Sequence, residues 1–352
     1  MHFYCFFITH KQNEQAYLSL ENNNLVCSVK DETKLKVPLD NIENIVCFSY
    51  LGCSPSLMGE CVKKRVPINF VAPSGKFLAK VYGETKGNVF LRVQQIDRFR
   101  GHGLQLAKNE TEAKFSNCIT TIKRTLHDRP ELKADAKISR TLQILEEGIT
   151  KAEACSSMES LLGIEGNCAS SYFGVFPQLI IGNDLGNTFQ YRNMHPPLDP
   201  INALLSFAYT LETMDCSAAL ETVGLDSYIG FYHTLRSGRP SLACDMVEEL
   251  RGIGERFVLT LLNLKVIGEK DFDHQITGAV LLNEEGRKKF IQKWQEKKRS
   301  MVYHPIIREK IPYGLLPYVQ SNLLAKYVRG EMEEYIPILL KCFTHISLML
   351  KN

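Results

Sequence analysis

Residues 199–212 read Asp-Pro-Ile-Asn-Ala-Leu-Leu-Ser-Phe-Ala-Tyr-Thr-Leu-Glu. The Asp199 side chain offers an acceptor to the unpaired N–H groups of a first helical turn. Pro200 then sits at the position where its missing N–H costs nothing. A helix is expected to start here, and Gly224 is placed to end that region. The 3.6-residue period runs on both sides of this segment, from about Gly87 to the C-terminus. Leu142, Leu145 and Ile149 recur at i, i+3 and i+7, and Ser156-x-x-Glu159 ahead of Leu161-Leu162 has the form of a capping box.

Before residue 87 the period is different. FYCFFI (3–8), QAYLSL (15–20), NLVCSV (24–29), KLKVPL (34–39) and NIVCFS (44–49) are short runs rich in β-branched and aromatic residues, separated by turn formers. A helix around Ser54–Arg65, a strand at VPINFVA (66–72), a turn at Pro73-Ser74-Gly75 and a further strand arm at FLAKVYGE (77–84) follow. Such spacing suggests a small antiparallel sandwich or rolled sheet. The expectation is an α+β protein of two domains: a β domain over residues 1–88 and an all-α domain over 89–352.

The chain has 352 residues, 44% hydrophobic and 23% charged, an ordinary globular composition that excludes disordered and collagen-like classes. A net charge of +3 announces no nucleic-acid binder, so any basic footprint must be local. No apolar run approaches the ~18 residues that span a bilayer. The opening MHFYCFFITHKQNEQ lacks a basic leader and a small-residue cleavage site, and reads as a first strand rather than a signal peptide. Eleven cysteines occur without a single CxxC pair, which fits neither a thiolate zinc site nor a disulfide framework. They read as reduced, mostly buried apolar residues of a cytoplasmic protein.

Three segments concentrate polar groups in apolar surroundings. In LLGIEGNCASSYF (161–173) Glu165 is the sole charge; GLDSYIGFYH (224–233) ends in His233; RSGRPSLACDMVEELR (236–251) is a basic loop entering a helix that Ser241 could cap. On that helix Leu242, Met246 and Leu250 form one stripe, with Asp245, Glu248 and Glu249 beside it. Taken singly, each has a plainer reading: a rim glutamate, a core histidine, a solvated helix face. Taken together, a carboxylate, an imidazole and a second helix's carboxylates make a divalent-metal site, and the oxygen-rich set favours Mg²⁺ or Mn²⁺. Arg236 and Arg239 would add phosphate-binding forks beside it, or else pair internally with its carboxylates. Metal and arginines are the equipment of phosphodiester chemistry.

In their order along the chain, RNMHPPLDPINALLSFAYTLE (192–212), GLDSYIGFYH (224–233) and RPSLACDMVEELR (239–251) resemble the metal-dependent CRISPR-associated nuclease-integrase family of spacer acquisition. Within it they are most similar to the variants of type I-C-like systems. GNVFLRVQQ (87–95) resembles the family's interdomain junction, and LLNEEGRKKF (281–290) and LLAKYVRGE (323–331) its C-terminal helices. The resemblance implies Glu165, His233 and Glu248 as catalytic metal ligands, with Asp245 and Glu249 behind them; one helical step separates Glu248 from Glu249, so either could face the ion. It also implies a homodimer joined through the β domain, with two dimers flanking a dimer of the small second adaptation protein. The implied activity is insertion of short double-stranded prespacers into the repeat array by 3′-hydroxyl attack on a phosphodiester. A general metal-dependent nuclease and a non-catalytic DNA scaffold are the competing classes.

One basic stretch, GRKKFIQKWQEKKR (286–299), brackets Trp294, the only tryptophan. Arg287, Lys288 and Lys289 head it as candidate DNA contacts. The competing reading is an amphipathic surface helix anchored in the core by Trp294. No sequence-reading module such as a zinc finger is present.

Overall fold

The computed structural model describes residues 4–9, 16–30, 32–48, 52–72, 77–83, 89–182, 184–194 and 196–340. The expected turn at Pro73-Ser74-Gly75 lies outside them. Eight strands and one helix come first: β1 (Tyr4–Thr9), β2 (Ala16–Glu21), β3 (Asn24–Val29), β4 (Glu32–Pro38), β5 (Ile42–Phe48), β6 (Gly52–Cys53), α1 (Pro55–Lys64), β7 (Ile68–Val71) and β8 (Phe77–Val81). The strands form two four-stranded sheets, ordered β4-β3-β2-β6 and β1-β5-β7-β8. The antiparallel expectation holds only in part. β2-β3-β4 is an antiparallel meander, but β1 pairs with β5, β5 with β7 and β2 with β6 in parallel. Parallel pairing needs long crossovers and buries both faces of a strand. β5 shows this: Ile45 and Cys47 enter a small core between the sheets and α1, whereas Val46 joins the core of the helical region.

From Val89 the chain is mostly helical: α2 (Val89–Asp128), α3 (Ala136–Ala154), α4 (Met158–Val175), α5 (Pro200–Val223) and α6 (Ser241–Asn263). Two short antiparallel ribbons interrupt what was expected to be all helix. β9 (Phe272–His274) pairs with β10 (Val280–Leu282) ahead of α7 (Glu284–Arg299), and β11 (Met301–His304) with β12 (Glu309–Pro312) ahead of α8 (Leu316–Val328). Each strand has three or four residues, too short to register as a period.

Helix ends follow the sequence where the signal is strong. Asp199 caps α5 by accepting from the Asn202 N–H at 2.8 Å, and Gly224 closes it at φ 93°, a left-handed conformation that favours glycine. At α4 the cap is Ser157, accepting from the Ser160 N–H at 3.2 Å, one residue later than the capping-box reading. At α6 Ser241 is the first helical residue and caps nothing; its hydroxyl turns back to the Thr234 carbonyl at 3.4 Å. The nine cysteines from Cys27 to Cys244 are all free. Burial pushes the thiols of Cys61 and Cys168 up, to about 12 and about 11. No helix among the described residues is long and apolar enough to cross a membrane.

Candidate active site

Helix α6 carries three of the candidate acids and is largely buried along its first ten residues. Leu242, Met246 and Leu250 form the expected apolar stripe, yet Asp245, Glu248 and Glu249 are also no more than 3% exposed. The solvated-face reading of these acids is therefore wrong. α2 and α5 both pack on α6, and glycines set how closely. A Cβ at Gly252 would meet Asn117 Cβ at 3.1 Å, and one at Gly254 would meet Glu212 Oε1 at 2.8 Å.

Asp245 organises the segment before α6. Its carboxylate accepts the backbone N–H groups of Phe231 (2.7 Å), Tyr232 (3.1 Å) and His233 (2.9 Å), and lies 2.7 Å from His233 Nδ1. One buried carboxylate thus fixes both the loop and the imidazole. Gly230 makes the approach possible, because a Cβ there would lie 2.5 Å from Asp245 Oδ2. With Nδ1 held, His233 Nε2 is turned toward Glu248 Oε1, 3.7 Å away.

Glu165, on α4, comes to the same place through a lysine that the sequence reading did not single out. The buried Lys114 ammonium, from α2, pairs with Glu165 Oε1 and lies 2.7 Å from Glu248 Oε2. The other Glu248 oxygen accepts from Arg251 Nη2 at 2.7 Å. Burial pushes the Glu248 carboxyl up, but Arg251, Lys114 and His233 outweigh it and hold it at about 2. Burial alone would lower the Lys114 ammonium; Glu248 and Glu165 overcome that and raise it. A signal for Lys114 does exist in the sequence. Glu110, Lys114, Asn117 and Thr121 recur at i, i+4, i+7 and i+11, a polar stripe that is buried throughout.

Glu165, His233 and Glu248 are therefore brought together from α4, a loop and α6. Glu249 is not with them. It points to the far side of α6, where Tyr335 Oη donates at 2.6 Å, the Ile338 N–H at 2.7 Å and Gln320 Nε2 at 2.8 Å. Burial raises its carboxyl and that of neighbouring Glu110, which is wholly buried on α2.

The arginines after the histidine form no ion pair among the described residues. Arg236 is exposed, and Arg239 turns its side chain toward the Cys244 thiol. The head of α7 is occupied within the chain: Arg287 Nη1 donates to the Leu282 carbonyl at 2.5 Å, Lys288 pairs with Glu284 at 3.1 Å, and Lys289 with Asp271 at 2.6 Å. Trp294 is buried with its ring 5.0 Å from that of Phe257.

Two glutamates on helices and a histidine on the loop before one of them meet in the helical region of an α+β protein whose N-terminal region is strand-rich. A family model described as CRISPR associated protein Cas1 matches residues 10–296, and the chain belongs to that family. The chain is 40% identical over 325 residues to the CRISPR-associated endonuclease Cas1 1 of Chlorobaculum tepidum, spanning 92% of this chain and 95% of that protein. It is 36% identical over 328 residues to the CRISPR-associated endonuclease Cas1 1 of Moorella thermoacetica, spanning 92% and 96%. Its fold is similar to that of a casposase bound to integration product (TM-score 0.81, 21% identity, 96% of this chain and 93% of that one). It is equally similar to a Cas1 protein from Thermotoga maritima (TM-score 0.79, 22% identity, 96% and 100%). A Cas6-RT-Cas1–Cas2 complex contains a chain with the same fold over 97% of this one and 36% of its own length (TM-score 0.77, 19% identity).

Proposed function

We propose that this chain is a DNA endonuclease-integrase that inserts short double-stranded prespacers into a CRISPR repeat array. The observation that carries this reading is the convergence of Glu165, His233 and Glu248 from three separate segments around the buried Lys114 ammonium. The names of the curated relatives and the casposase likeness support it.

The donor set suits a divalent cation. Two carboxylates already share a positive charge, and His233 Nε2 is free of the Asp245 bond that fixes Nδ1, the arrangement by which a carboxylate orients a metal-bound imidazole. As positioned, the donors are spread around the ammonium, and among the described residues no three of His, Cys, Asp and Glu close on one point. Glu165, His233 and Glu248 would hold Mg²⁺ or Mn²⁺, which when bound supplies Lewis-acid stabilisation of charge on a phosphoryl oxygen.

The chain's own groups do the rest. Asp245 keeps the His233 ring in place, Arg251 keeps Glu248 ionised, and Arg236 and Arg239 are at hand for DNA phosphates. The prespacer 3′-hydroxyl attacks a repeat phosphodiester in line. One P–O bond forms as another breaks, so no nucleotide cofactor is consumed. The working assembly is a homodimer, two of which flank a dimer of the small second adaptation protein, in the cytoplasm. The Cas1–Cas2 complex of like fold supports this, as does the exposed apolar face of Val89, Phe90 and Val93 at the start of α2.

A branched duplex that mimics the half-integrated product tests the proposal. With Mn²⁺ the protein should release the flap and rejoin the parent strand. Cleavage without rejoining would identify a simple nuclease, and DNA binding with no turnover a scaffold.

A further inference from the structure

Lys114 and a divalent ion compete for the same oxygens. Its ammonium pairs with Glu165 Oε1 and sits 2.7 Å from Glu248 Oε2. A divalent ion on those two oxygens would need bonds of about 2.0–2.2 Å, which would put it inside van der Waals contact of Nζ. Both cations cannot occupy that gap. Arg251 pairs with the other Glu248 oxygen, Oε1, and lays its guanidinium 4.8 Å from the centre of the Tyr209 ring, so Lys114 is the cation that bridges Glu165 and Glu248. Nor is the Lys114 ammonium a surface charge free to drift, since its side chain is 7% exposed and anchored on the buried face of α2.

We infer that Lys114 is a built-in counter-cation of the metal site: it holds Glu165 and Glu248 together when no ion is bound, and the ion enters by exchanging with it. The inference rests on the metal reading above. It assigns Lys114 two effects of opposite sign. In the metal-free protein the ammonium removes the repulsion of two close carboxylates, one of them almost fully buried, and stabilises the fold. Toward the ion it is a competitor, so the site binds metal more weakly than its ligands alone would. By reciprocity, whatever Lys114 contributes to the metal-free state is subtracted from metal affinity.

The full-length chain, freed of metal with chelator, is titrated with Mn²⁺ alone by calorimetry, and its melting temperature is followed with and without Mn²⁺. Lys114→Met keeps the length of the stem and removes the charge. It should melt lower than wild type without metal, bind Mn²⁺ about tenfold or more tightly, and gain more in melting temperature on Mn²⁺ addition. Lys114→Arg keeps the competing charge and should bind Mn²⁺ no better than wild type. A Lys114→Met protein that folds only in Mn²⁺ would show the same coupling at its limit. In that event Lys114→Gln, neutral but with a polar amide that can still donate to a carboxylate, supplies the affinity comparison and should also bind more tightly than wild type. Unchanged or weaker Mn²⁺ binding by folded Lys114→Met or Lys114→Gln overturns the inference, as does a Lys114→Met chain that stays unfolded at saturating Mn²⁺. Absence of Mn²⁺ binding in wild type and both neutral variants alike would overturn the metal reading itself.

Discussion

At the scale of single residues, Glu248 and Glu249 are neighbours in sequence and belong to different machines. A step of 100° along α6 turns one toward His233, Lys114 and Arg251 and the other toward Tyr335, Gln320 and the Ile338 N–H. Glu248→Gln should abolish strand transfer and leave DNA affinity intact or slightly raised, because one negative charge facing phosphate is gone. Glu249→Gln should leave the chemistry largely in place and cost about 1–3 kcal/mol of stability through mismatched buried hydrogen bonds, read by urea titration. A dead Glu249→Gln beside an active Glu248→Gln would reverse the assignment. His233→Ala should likewise remove most Mn²⁺-supported strand transfer in a folded protein, and full turnover would remove His233 from the site. The sequence held the residue types and their spacing but not this choice. A helix exposed on one side announces its register through its polar residues, and the half of α6 that holds Asp245, Glu248 and Glu249 has no such side. Lys114 escaped notice for a related reason, since its polar stripe on α2 looks like a solvent face unless its burial is known.

Among the elements, the long helices with strong end signals were legible: Asp199-Pro200 and Gly224 mark α5 to the residue. Four-residue ribbons and the parallel order of β1, β5 and β7 were not, because strand order is decided by crossovers and by which faces are buried rather than by local period. The contact of α5 with α6 carries a testable pH dependence. Glu212 is buried on α5 directly above Gly254 of α6; burial pushes its carboxyl well up, Glu255 adds to the rise, Arg251 opposes it and Asp215 adds further. The folded chain therefore keeps a proton that the unfolded chain loses above about pH 4.3, so this group lowers stability as pH rises through that point until the folded carboxyl also ionises. Glu212→Gln should flatten that decline in urea titrations taken between about pH 5 and pH 8; an unchanged slope would mean that Glu212 is ionised in the fold. The loop between His233 and α6 makes a second element-scale case. Arg236 is exposed and Arg239 turns toward the Cys244 thiol, so phosphate contact and an internal role predict different outcomes for the two. Changing either to Ala should reduce integration and flatten the salt dependence of DNA binding by roughly one charge per residue. Lys, lacking the bidentate fork, should restore the salt slope better than the integration rate. A lowered melting temperature with an unaltered salt slope would instead make them structural.

Over the whole molecule, charge is the property that bears most on what the chain can recognise. The net value is only +3, and much of the densest positive charge, on α7, is paired within the chain: Lys288 with Glu284 and Lys293 with Glu296 at the surface, Lys289 with Asp271 and Lys298 with Asp215 further in. Trp294, in the middle of that stretch, is packed in the core rather than offered to a base. On the proposed reading, DNA is held by backbone contact near the site, which tracks phosphates and carries no base information. The isolated protein should therefore bind a repeat duplex and a scrambled duplex of equal length with affinities within about threefold of each other, and with the same dependence on log salt. Choice of the repeat should emerge only when the small second adaptation protein is added, because a fixed spacing between two distant active sites can read DNA shape and length where a single site cannot. Fluorescence anisotropy over a salt series measures the first part, and mapping of insertion sites with and without the partner measures the second. A preference of the isolated chain for the repeat by more than about tenfold would show that base-reading contacts exist on its own surface, and would shift the source of specificity from the assembly to this protein.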